Sequence, residues 1–535
     1  MMDNRRRVEA SVKPARAAGG SLGQARMILL FVLDGLRPEA INPVETPTLF
    51  RLRQEGVHYL NSHAVFPTVT RVNAAAIGTG AYPNTNGIVG NVMYVPEVNQ
   101  GRPFNLGEYQ HLVGLAAAGD GRVVLAKTLG EHLQEHGLQL AVVSSGSTGS
   151  SLLLNPHAVH GIGTLVNGYF EPGQLVAFPP EVNATILTRF GPAPAKGGAS
   201  EPHQAAVDWT EDVFREYVLP ELRPDVVINW LTEPDHMQHA FGAGSPESRQ
   251  MLQNNDRHIG RILDTLQALG LGEQADILVV SDHGFSRVTQ AINVAQTLVE
   301  AGLKADMDSN DVVLASSDQA MLLHVRDHEP QRIRRIVEWL QAQEWIGVIF
   351  TRGNRAPDGR PAGDSPDPQG WVDGTFSLEL VHLAHETRGP DILFTFPWTS
   401  AKNSFGLEGT DLVASTRATG ARSGDASSHG SMSPWTIRNT CFAWGVDFKR
   451  GVEVRVPSSN VDLVPTILAL KGITAGTPLD GRILREALHG GPDEEQIPVD
   501  TRVLTTEACV GDYQATIQVS TVEHQRYIDK SWRLR

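Results

Sequence analysis

Three apolar runs, each closed by an aspartate a few positions on, constrain this chain more than any other feature. Met27 to Leu33 (MILLFVL) runs into Asp34-Gly35. Val226 to Leu231 (VVINWL) runs into Glu233-Pro234-Asp235, and Ile277 to Val280 (ILVV) into Ser281-Asp282-His283-Gly284. Such runs suit strands covered on both faces, as in a parallel sheet. Helical patterns lie between them. Thr46 to Gln54 opens on an N-cap-like threonine, and Met251 to Leu269 carries Ile259, Ile262, Leu263, Leu266 and Leu269 on one stripe. Val461 to Leu470 reads as a late helix carrying Asp462. Strands alternating with helices predict an α/β fold: a mostly parallel central sheet with helices on both faces. Polar side chains in such sheets gather beyond the carboxyl ends of the strands, so three strand-end aspartates point to one site.

The chain has 535 residues, 41% of them hydrophobic, which is material for a large core with insertions. Residues 1–24 are polar, basic and rich in Gly and Ala, and are expected to be disordered. Residues 25–490 are expected to form the catalytic domain, with insertions at about 95–205 and 300–415 acting as caps. Residues 491–535 are expected to add C-terminal strands that complete it. The formal net charge of −15 opposes binding to a nucleic-acid polymer or an anionic membrane. A small anionic substrate would then need local positive charge, and metal cations are the obvious source. The basic start Met1 to Arg7 is followed by no continuous apolar stretch, which argues against a signal peptide, and Met27 to Leu33 is too short to span a bilayer. These features read as a cytoplasmic protein. Cys441 and Cys509 could pair, but one bridge does not make a disulfide scaffold.

Several polar residues suit metal or phosphoryl chemistry, and each has a plainer reading. Asp34 before Gly35 is a usable ligand or an ordinary turn. Asp235 and His239, four apart, fall on one helical face as a half-site or a salt bridge, with His236 pointing elsewhere. Asp282 and His283 converge only if the chain turns, which Gly284 permits. His429 sits among small residues that leave it accessible. Stray histidines such as His157, His160, His203 and His258 read as structural. In Phe66-Pro67-Thr68-Val69-Thr70-Arg71, Thr68 or Thr70 would cap the Ala-rich helix that follows. A hydroxyl at such a helix start also suits an anion and, beside a metal, a nucleophile.

The order of these pieces resembles that of the alkaline phosphatase superfamily: Asp, Thr, Asp-x-x-x-His, Asp-His-Gly, His. Phe66 to Thr70 and Gly78 to Asn91 (GTGAYPNTNGIVGN) resemble its type I phosphodiesterase/nucleotide pyrophosphatase branch. Asp462 to Leu468 and Leu479 to Arg482 resemble its closing helix and loop. The resemblance implies an alkaline-phosphatase-like three-layer sandwich with inserted caps, and a hydrolase acting on phosphate diesters through a phospho-threonine intermediate. It implies Thr70 as nucleophile and Asn91 on the phosphoryl oxygens. It also implies two Zn2+ ions, one held by Asp34, Thr70, Asp282 and His283 and the other by Asp235, His239 and His429. Many relatives that cleave nucleotides have Phe after the nucleophile, where this chain has Arg71, a residue that can stack or bind an anion of the substrate. A phosphomonoesterase or phosphonate hydrolase on the same two-metal site is the alternative.

Overall fold

The computed structural model describes residues 23–534, apart from 169–175, 196, 354–367 and 413–422. The segment expected to be disordered falls largely outside these residues. Where the described chain begins, the backbone amides of Gln24 and Ala25 donate to the Asp447 carboxylate.

The three apolar runs are adjacent strands. Met27–Leu33 lies between Val226–Leu231 and Ala275–Val280, parallel to both. Pairing of Val32 with Val280 and of Leu33 with Leu231 brings the three carboxyl ends level. Leu140–Ser144 and Thr164–Asn167 extend the parallel block on one side, and Cys441–Gly445 adds an antiparallel strand on the other. The complete sheet has nine strands. Residues 95–205, expected as an insertion, supply three of them: Leu140–Ser144, Thr164–Asn167 and Ala177–Phe178.

Alternation along the first strand separates two cores. Ile28, Leu30 and Val32 join Ala74, Ile77, Leu133 and Leu468 in one core, with helices Thr70–Thr79, Leu129–Glu135 and Leu463–Leu470. Met27, Leu29, Phe31 and Leu33 join Leu49, Leu52, Ile186, Val207 and Ile259 in the other, with helices Pro47–Glu55, Pro180–Phe190, Gln204–Val213 and Pro246–Ala268. The result is the expected three layers, helix–sheet–helix. Each fully buried aliphatic side chain contributes about 2 kcal/mol of transfer free energy.

The run of Ala and Gly in Thr70–Thr79 has a packing cause. A Cβ on Gly78 would lie 2.8 Å from the Leu153 carbonyl of helix Thr148–Leu154, so small residues let the two helices approach. Residues 300–415 build mainly a separate five-stranded sheet that includes the hairpin Val312–Ser317/Ala320–Val325. The last three strands, Val499–Glu507, Gln514–Val522 and Gln525–Arg533, form an antiparallel sheet. That sheet is tied to the rest of the fold where Ser531 N–H donates to the Met432 carbonyl and where His63 meets Asp529 at 3.0 Å. Cys441 is buried and Cys509 exposed, and both are free thiols. No described helix is long and apolar enough to cross a membrane.

Candidate active site

The level strand ends assemble the site. Asp34 N–H donates to the Leu231 carbonyl, Asp235 N–H to the Asp34 carbonyl, and Gly35 N–H to Asp282 Oδ1 at 3.0 Å. Asp235 then opens helix Asp235–Phe241, whose pitch returns His239 Nε2 to 3.4 Å from Asp235 Oδ2. Asp282 and His283 do converge, with His283 Nε2 3.1 Å from Asp282 Oδ2. Gly284 is needed there for space rather than for an unusual φ, because a Cβ would lie 2.0 Å from the Trp435 carbonyl oxygen. His429 follows the short strand Ser427–Ser428 and stacks on His283 with ring centroids 3.6 Å apart. Its Nε2 is 3.5 Å from Asp235 Oδ1.

Neither Thr68 nor Thr70 caps the helix. Val69 is the N-cap residue and makes no side-chain cap bond. The Thr68 hydroxyl donates to the Ser431 carbonyl and accepts from Gly430 N–H, tying the Thr70 segment to the His429 loop. Asn73 instead holds the approach to the helix, accepting from Val65 N–H and donating to the Val65 and Val69 carbonyls. The Thr70 hydroxyl is left to meet His283 Nε2 at 3.4 Å.

All seven implied ligand positions therefore meet. Two overlapping groups have donor atoms within 4.8 Å of one another, Asp34/Asp235/His283 and Asp235/His239/His429, with Asp235 common to both. The donor set fits cations. Asp34 Oδ1, Asp235 Oδ1 and Asp282 Oδ2 are buried without a hydrogen-bond partner, which is costly unless a cation lies among them. Tetrahedral sites with bonds of about 2.1 Å place neighbouring ligand atoms about 3.4 Å apart, close to the separations found here.

The imidazoles are oriented by the backbone. His239 Nδ1 lies 3.1 Å from the Ser427 carbonyl, His283 Nδ1 3.0 Å from that of Gly284, and His429 Nδ1 3.0 Å from that of Thr68. A carbonyl can only accept, so each Nδ1 carries the proton and each Nε2 lone pair points inward. Trp230 Nε1 donates to Asp34 Oδ2 at 3.1 Å and fixes that carboxylate.

Among themselves these side chains are electrostatically unfavourable. Burial, then the Asp282 and Asp235 charges, hold the Asp34 carboxyl well above its usual range. Burial, with Asp282 adding to it and His283 opposing, pushes Asp235 up to about 6. Burial, then His283 and His239, hold His429 well below its ordinary value. Burial also works against protonation of His283, but Asp282 and Asp235 outweigh it and raise its pKa. A cation would reverse this logic by favouring carboxylates and neutral imidazoles together.

A cavity of about 400 Å³ opens above Thr70. Arg71, Asn91, Asn105, His236 and Asp318 line it. Asn91 Oδ1 accepts the Arg71 backbone N–H at 2.9 Å, which leaves Nδ2 as the donor available to a ligand. His236, read from spacing as a bystander, stacks on His203 at 3.7 Å, and its Nε2 lies 3.0 Å from the Glu201 carbonyl. Asp318 was not singled out in the sequence. It sits at φ 55° between the strands Val312–Ser317 and Ala320–Val325. That tip is docked on both sides, by Asn91 N–H on Ser317 Oγ and by Gln319 N–H on the His429 carbonyl. An Asp flanked by β-strand pattern in an expected cap, with Ser-Ser before it, was the available signal.

A family model described as type I phosphodiesterase/nucleotide pyrophosphatase matches residues 28–344. Mouse ectonucleotide pyrophosphatase/phosphodiesterase family member 1 is 28% identical over 261 residues, 48% of this chain and 24% of the mouse protein. A venom phosphodiesterase of Naja atra is 26% identical over 265 residues, 49% of this chain and 26% of its own. The matched region is thus about a quarter of these relatives' length. Among solved structures, murine ectonucleotide pyrophosphatase/phosphodiesterase 5, in an inactive form complexed with AMP, superposes with a TM-score of 0.55 at 16% identity. That match covers 85% of this chain and 97% of the murine one, a likeness of fold.

Proposed function

As a member of the type I phosphodiesterase/nucleotide pyrophosphatase family, the chain is one for which we propose hydrolysis of small phosphate diesters, nucleotide-type esters among them, through a phospho-threonine on Thr70. The observation that carries this reading is the Thr70 hydroxyl 3.4 Å from His283 Nε2, at the edge of a cluster whose buried carboxylate oxygens lack partners.

Asp34, Asp282, His283 and Thr70 would hold one divalent cation, and Asp235, His239 and His429 a second; we assign both as zinc on the strength of the His/Asp donor set. Such a pair supplies charge stabilisation for developing oxyanions and favours the ionised form of a hydroxyl. Thr70 Oγ1 gives its proton to solvent and attacks phosphorus in line, while the opposite P–O bond breaks and the departing oxygen takes up a proton from water to leave as the alcohol. Asn91 Nδ2, oriented by its Oδ1 bond to Arg71 N–H, donates to a non-bridging oxygen as charge builds there. Water then enters from the side the alcohol left, breaks the Thr70–phosphorus ester and restores the hydroxyl.

The test is turnover of an aryl phosphodiester against the matching monoester. Faster cleavage of the diester, abolished by Thr70→Ala in a folded protein, is the expected result. A protein that prefers the monoester contradicts the reading.

A further inference from the structure

We infer that Arg71 receives a second oxyanion of the substrate, a carboxylate or further phosphate carried by the group that stays on phosphorus. The inference rests on the phosphodiesterase reading above.

Among the described residues the guanidinium makes one hydrogen bond, from Nη2 to the Ser147 hydroxyl at 3.1 Å. Its Nε is buried with no partner, and no described carboxylate forms an ion pair with it. A guanidinium presents five N–H donors in a planar fork; here Nε is buried without a partner, and the partly buried group faces the cavity. An anion with two oxygens matches that fork. The fork is also held for this use. Ser147 fixes one end, and Gly107 makes room, since a Cβ there would lie 2.9 Å from Nη2. Asn105 lines the same cavity, with its Oδ1 held by Gly107 N–H at 2.8 Å. Asp318 lines the same cavity, and its charge acts on Arg71 across it, without an ion pair between the two.

In-line attack places the departing oxygen opposite Thr70 Oγ1. Arg71 follows Thr70 directly in the chain, so its side chain starts from the nucleophile's end of that line, and the retained substituent is the one assigned to it. Among the described residues, the cavity lining includes no Phe, Tyr or Trp on which a base could stack, whereas a charged retained group has a waiting partner.

The experiment measures kcat/KM for three 4-nitrophenyl phosphodiesters whose second ester group is methyl, carboxymethyl or 2-phosphoethyl. Wild type, Arg71→Met and Arg71→Lys are compared. The expected wild-type preference for the charged diesters over the methyl diester is roughly tenfold to a hundredfold. In Arg71→Met the ratio falls to near one. In Arg71→Lys it is intermediate, since a point charge replaces the fork. The carboxymethyl and phosphoethyl arms tell the two anions apart. A wild-type ratio near one, or a ratio that survives in Arg71→Met, overturns the inference while leaving diester cleavage standing. Cleavage of none of the three overturns the phosphodiesterase reading and the inference with it.

Discussion

His283 Nε2 lies 3.4 Å from Thr70 Oγ1 and 3.6 Å from Asp34 Oδ1, so one imidazole lone pair faces both the hydroxyl and the first strand-end carboxylate. Asp34 and His283, more than two hundred positions apart, meet because their segments leave neighbouring parallel strands at the same level. The predicted consequence is that Thr70→Ala lowers turnover of an aryl diester by about three orders of magnitude or more. Circular dichroism and melting should stay near wild type, because Thr70 makes no cap bond. Retained turnover would remove Thr70 from the chemistry.

Asn91 is predicted to act on charge that develops during the reaction rather than on binding alone. Asn91→Ala should lower kcat by about 10²-fold to 10³-fold with a smaller change in KM. Steady-state kinetics separates the two, and an effect confined to KM would mean that the amide only binds substrate.

Trp230 supports the site from beneath by donating to Asp34 Oδ2. Trp230→Phe keeps an aromatic ring there and removes the donor. Metal affinity at the Asp34 position should fall about 10-fold to 100-fold, measured by chelator competition. Unchanged affinity would show that the bond does not orient the carboxylate.

Away from the site, burial and the adjacent Asp447 push Asp276 up to about 8. Its unfolded value is the ordinary one, so between about pH 4 and pH 8 the folded state holds a proton that the unfolded state has lost. Stability from this group is full below that window and declines as pH rises through it. The urea midpoint should therefore drop between pH 5 and pH 8, and Asp276→Asn should flatten that slope. An identical slope in the variant would contradict the assignment.

The Arg482–Glu486 pair is buried at both ends, and Arg482 Nε also donates to Tyr527 of the C-terminal sheet at 3.0 Å. Glu486→Ala removes the carboxylate paired with the buried guanidinium, leaving only the Asp462 charge outside ion-pair distance, and should cost about 3–5 kcal/mol. Denaturant unfolding checks this, and a loss below about 1 kcal/mol would mean that the cation finds water.

The sequence made the parallel block legible because burial on both faces forces continuous apolar runs, and it pointed to one site because those runs end in Asp34, Asp235 and Asp282; the wider candidate ligand set was implied by the resemblance in motif order. Other features rest on contacts with no local signature. The role of Gly284 depends on the Trp435 carbonyl, brought in from far along the chain. The three Nδ1 partners are backbone carbonyls, which any residue supplies. Thr68 and Thr70 look like caps by residue type, yet Asn73 takes the local bonds instead. Residues 95–205 read as an insertion because their strands are short and separated by Gly and Pro, although three of them complete the central sheet. His236 reaches the cavity through a stack on His203, and Asp318 through a hairpin docked on Asn91 and the His429 loop.

Anomalous scattering at the zinc absorption edge, from crystals of the protein purified without chelator, tests the central claim most directly. The account predicts two peaks per chain, one among Asp34, Asp282, His283 and Thr70, the other among Asp235, His239 and His429. A zinc-replete crystal with no peak at these side chains, or with its peaks elsewhere, would contradict it.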